Sequence, residues 1–168
     1  MNRYARILRH RLYDDTDTRR ALDDAALERL AARVKQSEAR HSGEIRVSVE
    51  AGLPLSYLWQ GLSARDRAVT LFGKLRVWDT ESNNGVLIYL LLAEHAIEIV
   101  ADRGLARHVP PGHWQQVLGG MREAFRARRF EQGLMDAIAA VEALLLQHYP
   151  LGAGERNPNE LPDGVDLR

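Results

Sequence analysis

The chain has 168 residues and no cysteine, and 23 Lys and Arg are matched by 23 Asp and Glu, so its formal net charge is zero. A chain of this length suits one domain with its own core, and the missing cysteines exclude disulfides, thiolate zinc sites and thiol nucleophiles. Balanced charge removes the broad attraction on which nucleic-acid binding relies and leaves any charged partner to a local patch.

The basic N-terminus lacks the apolar run of a signal peptide, and no stretch approaches the length of a membrane span, so a soluble, cytoplasmic protein is expected. Residues 1–21 read as a basic arm in which Tyr4, Leu8 and Leu12 recur at helical spacing among Arg3, Arg6, Arg9 and Arg11. Residues 1–13 allow two readings: a peripheral contact with an anionic membrane, or an arm that is flexible or packed on the domain. From Asp23 or Asp24, Leu27, Leu30, Ala31 and Val34 mark an amphipathic helix, which Gly43 is expected to close in the left-handed conformation.

Glu44–Glu50 alternates strictly, which predicts a strand with one buried and one polar face, nearer the sheet edge than the apolar strand that follows. Gly and Pro punctuate residues 52–62 as a loop. Ser63, with Asp66 three residues on, has the form of a helix N-cap ahead of Ala68, Leu71, Phe72 and Leu75.

Val86–Ala93 is a short apolar run opening on Asn84–Gly85, as a strand covered on both faces would be. The tight Glu94–His95 link and Ile97–Val100 complete a hairpin, and the helix-containing connection from Glu44–Glu50 predicts a parallel crossover. After Pro110-Pro-Gly, the stripes Trp114–Phe125 and Phe130–Leu145 predict two further helices. Residues 22–150 thus form an α/β domain, a small mixed sheet with helices on its faces, and residues 151–168 read as a flexible tail.

In such a hairpin the residues before the first strand meet those after the second. Asp79, Glu81 and Asp102 are therefore candidate metal ligands, and Asn83, Asn84, Arg103 and Glu44 candidate binding residues around them. All-oxygen donors suit Ca2+ or Mg2+ rather than zinc, although the loop lacks EF-hand spacing. The same residues also fit a structural role: Asn84–Gly85 shaping the strand entry, Asp102 capping a turn, and Arg103 pairing with Glu44 or Asp79 at the surface. The histidines are scattered. The Arg126-Ala-Arg-Arg129 cluster with Arg122 suits either anionic lipid or an acidic partner, or the terminal carbonyls and negative dipole end where two helices join, and no aromatics are interleaved with it for single-stranded nucleic acid.

The blocks Glu44-Ile-Arg-Val, Asp79-Thr-Glu-Ser-Asn-Asn-Gly-Val-Leu-Ile and Glu98-Ile-Val-Ala-Asp-Arg-Gly, then Trp114, Met121, Phe130 and Gly133, resemble the TPM domain family over about Leu22–Pro150. That family includes a thylakoid-lumen acid phosphatase and YgcG-like bacterial membrane proteins. This chain is similar to a short, soluble bacterial branch without signal peptide or anchor. The resemblance implies a Rossmann-like αβα sandwich, divalent-metal binding, and service in membrane-protein or envelope maintenance through a protein partner. For some members it also implies hydrolysis of phosphate monoesters. That chemistry would need a metal-activated water or an aspartyl nucleophile, with Arg103 offsetting phosphoryl charge.

Overall fold

A computed structural model describes residues 3–110 and 112–168, so Pro111 of the Pro110-Pro-Gly break lies outside the described residues. Along the chain run α1 (Arg3–Arg11), α2 (Asp15–Ala21), α3 (Asp24–Glu38), β1 (Glu44–Glu50), α4 (Leu55–Gln60), α5 (Ala64–Lys74) and β2 (Gly85–Leu91). A 3-10 turn (Leu92–Glu94) leads to β3 (Ala96–Ala101), α6 (Arg103–Ala106), α7 (His113–Arg126), α8 (Phe130–His148) and β4 (Asp166–Leu167).

The four strands form one mixed sheet in the order β3-β2-β1-β4. β1 and β2 are parallel, with Glu44 opposite Gly85, while β2 and β3 are antiparallel, with Val86 opposite Ala101. β2 is apolar throughout because it is buried throughout. Val86, Ile88 and Leu90 join α3, α7 and α8 in one core, and Leu87, Tyr89 and Leu91 meet α5 in the other. Each such buried aliphatic contributes about 1.5–3 kcal/mol, so a strand with helices on both faces anchors the fold. The layered α/β sandwich expected from the sequence is what forms.

Four local expectations are corrected. β1 is an interior strand, because β4 pairs with it at Ser48 and Val49. Its alternate polar residues are nearly all covered: Glu50 by Arg67, Ser48 by Asp166, and Glu44 by the backbone N–H of Leu161. Residues 151–168, read as a loose tail, therefore pack along β1, with Leu161 only 6% exposed. Arg46 Nη1 donates to the carbonyl oxygens of Pro162 and Gly164 there. α3 ends at Glu38 with Ala39 as its cap, five residues before Gly43. Gly43 instead lies against Leu145, where a Cβ would stand 2.4 Å from Leu145 Cδ2. Finally, residues 52–62 hold the short helix α4, stopped by Gly61 at φ 72°.

The Ser63–Asp66 capping box forms as expected, and Asp14 with Asp17 makes a second one ahead of α2. α1 is held on the domain through His10. Its Nδ1 accepts the Leu53 N–H at 3.0 Å, and its Nε2 meets Glu94 Oε1 at 2.9 Å, where Arg6 also binds.

Candidate functional site

The polar end of the hairpin is built by backbone contacts first. Asp102 N–H donates to Gly85 O at 2.9 Å, and Gly104 N–H donates to Asn83 O at 2.8 Å. Asn83 turns the loop with φ 51°, a conformation asparagine tolerates better than most residues. Asn84 is then carried into the interior: its N–H donates to Thr80 Oγ1 at 3.1 Å, and its Nδ2 donates to Ser42 O at 3.1 Å.

Two oxygens remain after these bonds are assigned. Asn84 is fully buried and Asp102 is 7% exposed. Asn84 Oδ1 and Asp102 Oδ2 are both buried without a hydrogen-bond partner among the described residues. The other Asp102 oxygen accepts the Arg103 N–H at 2.7 Å. A buried polar atom left without a partner costs about 1–3 kcal/mol, so each of these oxygens calls for a partner. An amide oxygen and a carboxylate oxygen are hard donors, and that set fits Ca2+ or Mg2+.

Asp79, Glu81 and Arg103 are exposed, and the Glu81 N–H donates to Glu160 at 3.0 Å. Among the described residues no three His, Asp or Glu side chains are grouped as metal ligands, so the gathered donors are fewer than three carboxylates. Glu44 heads β1 opposite Gly85, but its Oε2 accepts the Leu161 N–H at 3.1 Å and its Oε1 is unpartnered. Burial raises its carboxyl above the ordinary range, and Glu160 and Asp163 nearby add to the shift.

The Glu38 carboxyl lies near those of Glu44 and Asp163 and accepts the Ile45 N–H at 2.8 Å. Burial above all, then Glu44 and Asp163, pushes it up to about 9. The supporting roles of Ser42 and Thr80, and the Glu38–Asp163 pairing, carry no local signal; they arise from loops packed side by side.

These features define a layered α/β domain with two buried, unpartnered oxygens at the polar end of its hairpin. The chain belongs to the TPM domain family, whose model matches residues 16–144. The NMR structure of BA42 protein from the psychrophilic bacterium Bizionia argentinensis is similar at 26% identity, with 88% of this chain and 95% of that one covered and a TM-score of 0.75. The solution structure of an N-terminal domain of a protein from P. gingivalis shares the fold, at 23% identity, 78% and 82% coverage and a TM-score of 0.59. No curated protein matches the chain. Among the described residues no helix is long and apolar enough to cross a membrane.

Proposed function

We propose that this TPM domain binds a divalent cation, Ca2+ or Mg2+, at Asn84 and Asp102, and serves membrane-protein or envelope maintenance through a protein partner. The observation that carries the cation is the pair of buried, unpartnered oxygens, Asn84 Oδ1 and Asp102 Oδ2. Backbone carbonyls and water would complete the six to eight oxygens of a calcium shell, with Asp79 and Glu81 available from the exposed loop. When bound, the cation supplies charge compensation for Asp102 and ties the 79–84 loop to the end of β3.

The test is thermal unfolding with and without CaCl2 or MgCl2. Saturation at about a hundred times Kd adds about 2.7 kcal/mol, or roughly 2–4 °C of Tm per kcal/mol in a chain of this size. Asp102→Asn should abolish that rise. If neither metal shifts the parent protein, the cation reading is overturned.

A second reading, a weak metal-assisted acid phosphatase acting on phosphate monoesters, is favoured by exposed Arg103 directly following Asp102. Its guanidinium would offset charge on phosphoryl oxygens bound there. Turnover of an aryl phosphate that needs metal and is lost in Asp102→Asn would establish it. A metal-dependent Tm without turnover leaves the binding module.

The envelope role is supported by α1. Its inner side is held by His10, while Tyr4, Leu8 and Leu12 are 70%, 63% and 72% exposed beside Arg3, Arg9 and Arg11. An apolar stripe flanked by arginines suits peripheral contact with an anionic bilayer from a cytoplasmic location. Co-sedimentation with phosphatidylglycerol vesicles, lost in Leu8→Gln/Leu12→Gln, is the expected result. Equal sedimentation of parent and variant would remove this contact.

A further inference from the structure

β3 ends the sheet on one side, and its outer edge faces a cavity of about 670 Å3 between α5 and α7. The bond from Asp102 N–H to Gly85 O fixes the phase of the hairpin ladder. Ala96, Glu98 and Val100, opposite Leu91, Tyr89 and Leu87, turn their backbone groups to β2, so those of Ile97 and Ile99 point outward. Arg65 confirms the phase, since its Nη1 donates to the Ile99 carbonyl oxygen from the open side. No other hydrogen bond among the described residues engages the outward groups of Ile97 and Ile99.

The walls of this cavity have a definite chemistry. Arg65 stands on the α5 side, and Arg122 and Arg126 stand on the α7 side with Trp114 and Leu118 as the apolar part. Its two acidic residues are already engaged: Glu94 by Arg6 and His10, and Glu98 by Arg65 at 3.6 Å. Neither Arg122 nor Arg126 forms an ion pair among the described residues, although Arg122 lies close enough to favour ionised Glu98. The edge is therefore basic, half apolar, and open in its backbone.

We propose that the free edge of β3 takes up an extended acidic peptide as an added strand, with its alternate carboxylates turned toward the α7 arginines and their stems along Trp114 and Leu118. Strand addition uses main-chain bonds for affinity and alternate side chains for selectivity. Here the outward groups of Ile97 and Ile99 supply the first, while the arginines and the Trp114–Leu118 wall supply the second. A lone phosphate or carboxylate would use the arginines and leave the strand edge untouched, so the peptide fits more of what is present. Arg65 is the edge's cover: half-exposed, it shields one carbonyl against indiscriminate pairing and can turn instead to a peptide carboxylate.

This deepens the protein-partner part of the proposed function and rests on it, but not on the cation. Five residues of strand, about 17 Å, separate Ile97 from Asp102.

The test uses the full chain and a fluorescein-labelled peptide of alternating Glu and Val. The controls are the same peptide with alternate backbone amides N-methylated and a Lys-Val counterpart. Saturable anisotropy is expected for the acidic peptide only, weakened about tenfold or more by N-methylation and by Arg122→Glu/Arg126→Glu. Both arginines are exposed, so the double variant should melt with the parent. Amide resonances of Ile97 and Ile99 should shift on binding.

Absence of saturable binding overturns the proposal, and so does equal binding of the N-methylated peptide, which would mean charge attraction alone. Inorganic phosphate shifting the same amides equally would make this a small-anion pocket, and self-association through β3 would make it a contact between copies. Asp102→Asn should bind the peptide as the parent does, so failure of the cation reading leaves this result readable.

Discussion

A Cβ placed on Gly104 would stand 2.3 Å from the carbonyl oxygen of Asn83 and 2.6 Å from that of Ser82. The loop entering β2 and the turn leaving β3 thus touch backbone to backbone. Glycine is required by that approach and not by dihedral angle, since Gly104 is not among the residues with positive φ. Gly104→Ala must push the two segments apart at the point where Asn84 and Asp102 are brought together. The expected loss is about 1–3 kcal/mol, read as a fall in Tm. Gly119→Ala is the control: in α7, with nothing within 4 Å of its Cβ, it should gain about 0.5–1 kcal/mol. A Gly104→Ala protein melting with the parent would contradict the contact.

Glu50 is the most heavily bonded side chain under the sheet's second face. Arg67 Nε and Nη2 reach its two oxygens at 2.9 and 2.6 Å, and Tyr89 OH donates to it at 2.6 Å. The two charged side chains are only 9% and 6% exposed. Removing one partner strands the other, so Arg67→Met should cost about 3–5 kcal/mol. Glu50→Gln/Arg67→Met should recover part of that, because no buried charge is left unpaired and the introduced amide oxygen can still accept the Tyr89 hydroxyl. Chemical denaturation of the single and double variants gives the coupling, and additive losses would contradict this account.

The architecture was legible because β2 is apolar without interruption and because the connection from β1 is long enough for only a crossover. The backbone contact of Asn83 and Gly85 with Gly104 and Asp102 followed from hairpin geometry, whereas Asp79 and Glu81, expected beside them, stand exposed in the loop. β1 misled because alternation reports polarity and not exposure: Glu44, Ser48 and Glu50 are polar and buried, each matched by a partner distant in sequence. Asp166, bonded to Ser48, lies 118 positions away. Residues 151–168 misled for the same reason, since their packing rests on Leu161, Val165 and Leu167 and on bonds from Asn157 and Asp166 to distant partners, which composition does not register.

That terminal segment yields its own prediction. Leu161 is buried against the second core, and the Ala51 N–H donates to Arg168 O at 2.8 Å. Leu161→Ala should cost about 2–4 kcal/mol by leaving a cavity. It should also loosen β4, so that exchange of the Ala51 amide accelerates more than that of the Asp102 amide on the far side of the sheet. Equal acceleration at both sites would mean global unfolding and not local release.

Glu38 predicts how stability changes with pH. Its folded-state carboxyl is pushed up to about 9, chiefly by burial, from an ordinary value of 4.5. Between those values the folded chain holds a proton that the unfolded chain releases. Stability contributed by the protonated form is therefore complete below about pH 4.5 and declines as pH rises toward 9. Glu38→Gln keeps an acceptor for the Ile45 N–H and a donor toward Asp163, and it cannot ionise. Parent and variant should therefore melt together near pH 4.5. The variant should pull ahead by at least about 1 kcal/mol, roughly 2–4 °C, at pH 8. Because Glu38 and Asp163 share the 157–163 side of β1, the same variant should keep that segment's amides protected at pH values where the parent's begin to exchange. Melting curves that stay parallel from pH 5 to pH 9 would show that Glu38 is ionised in the folded protein.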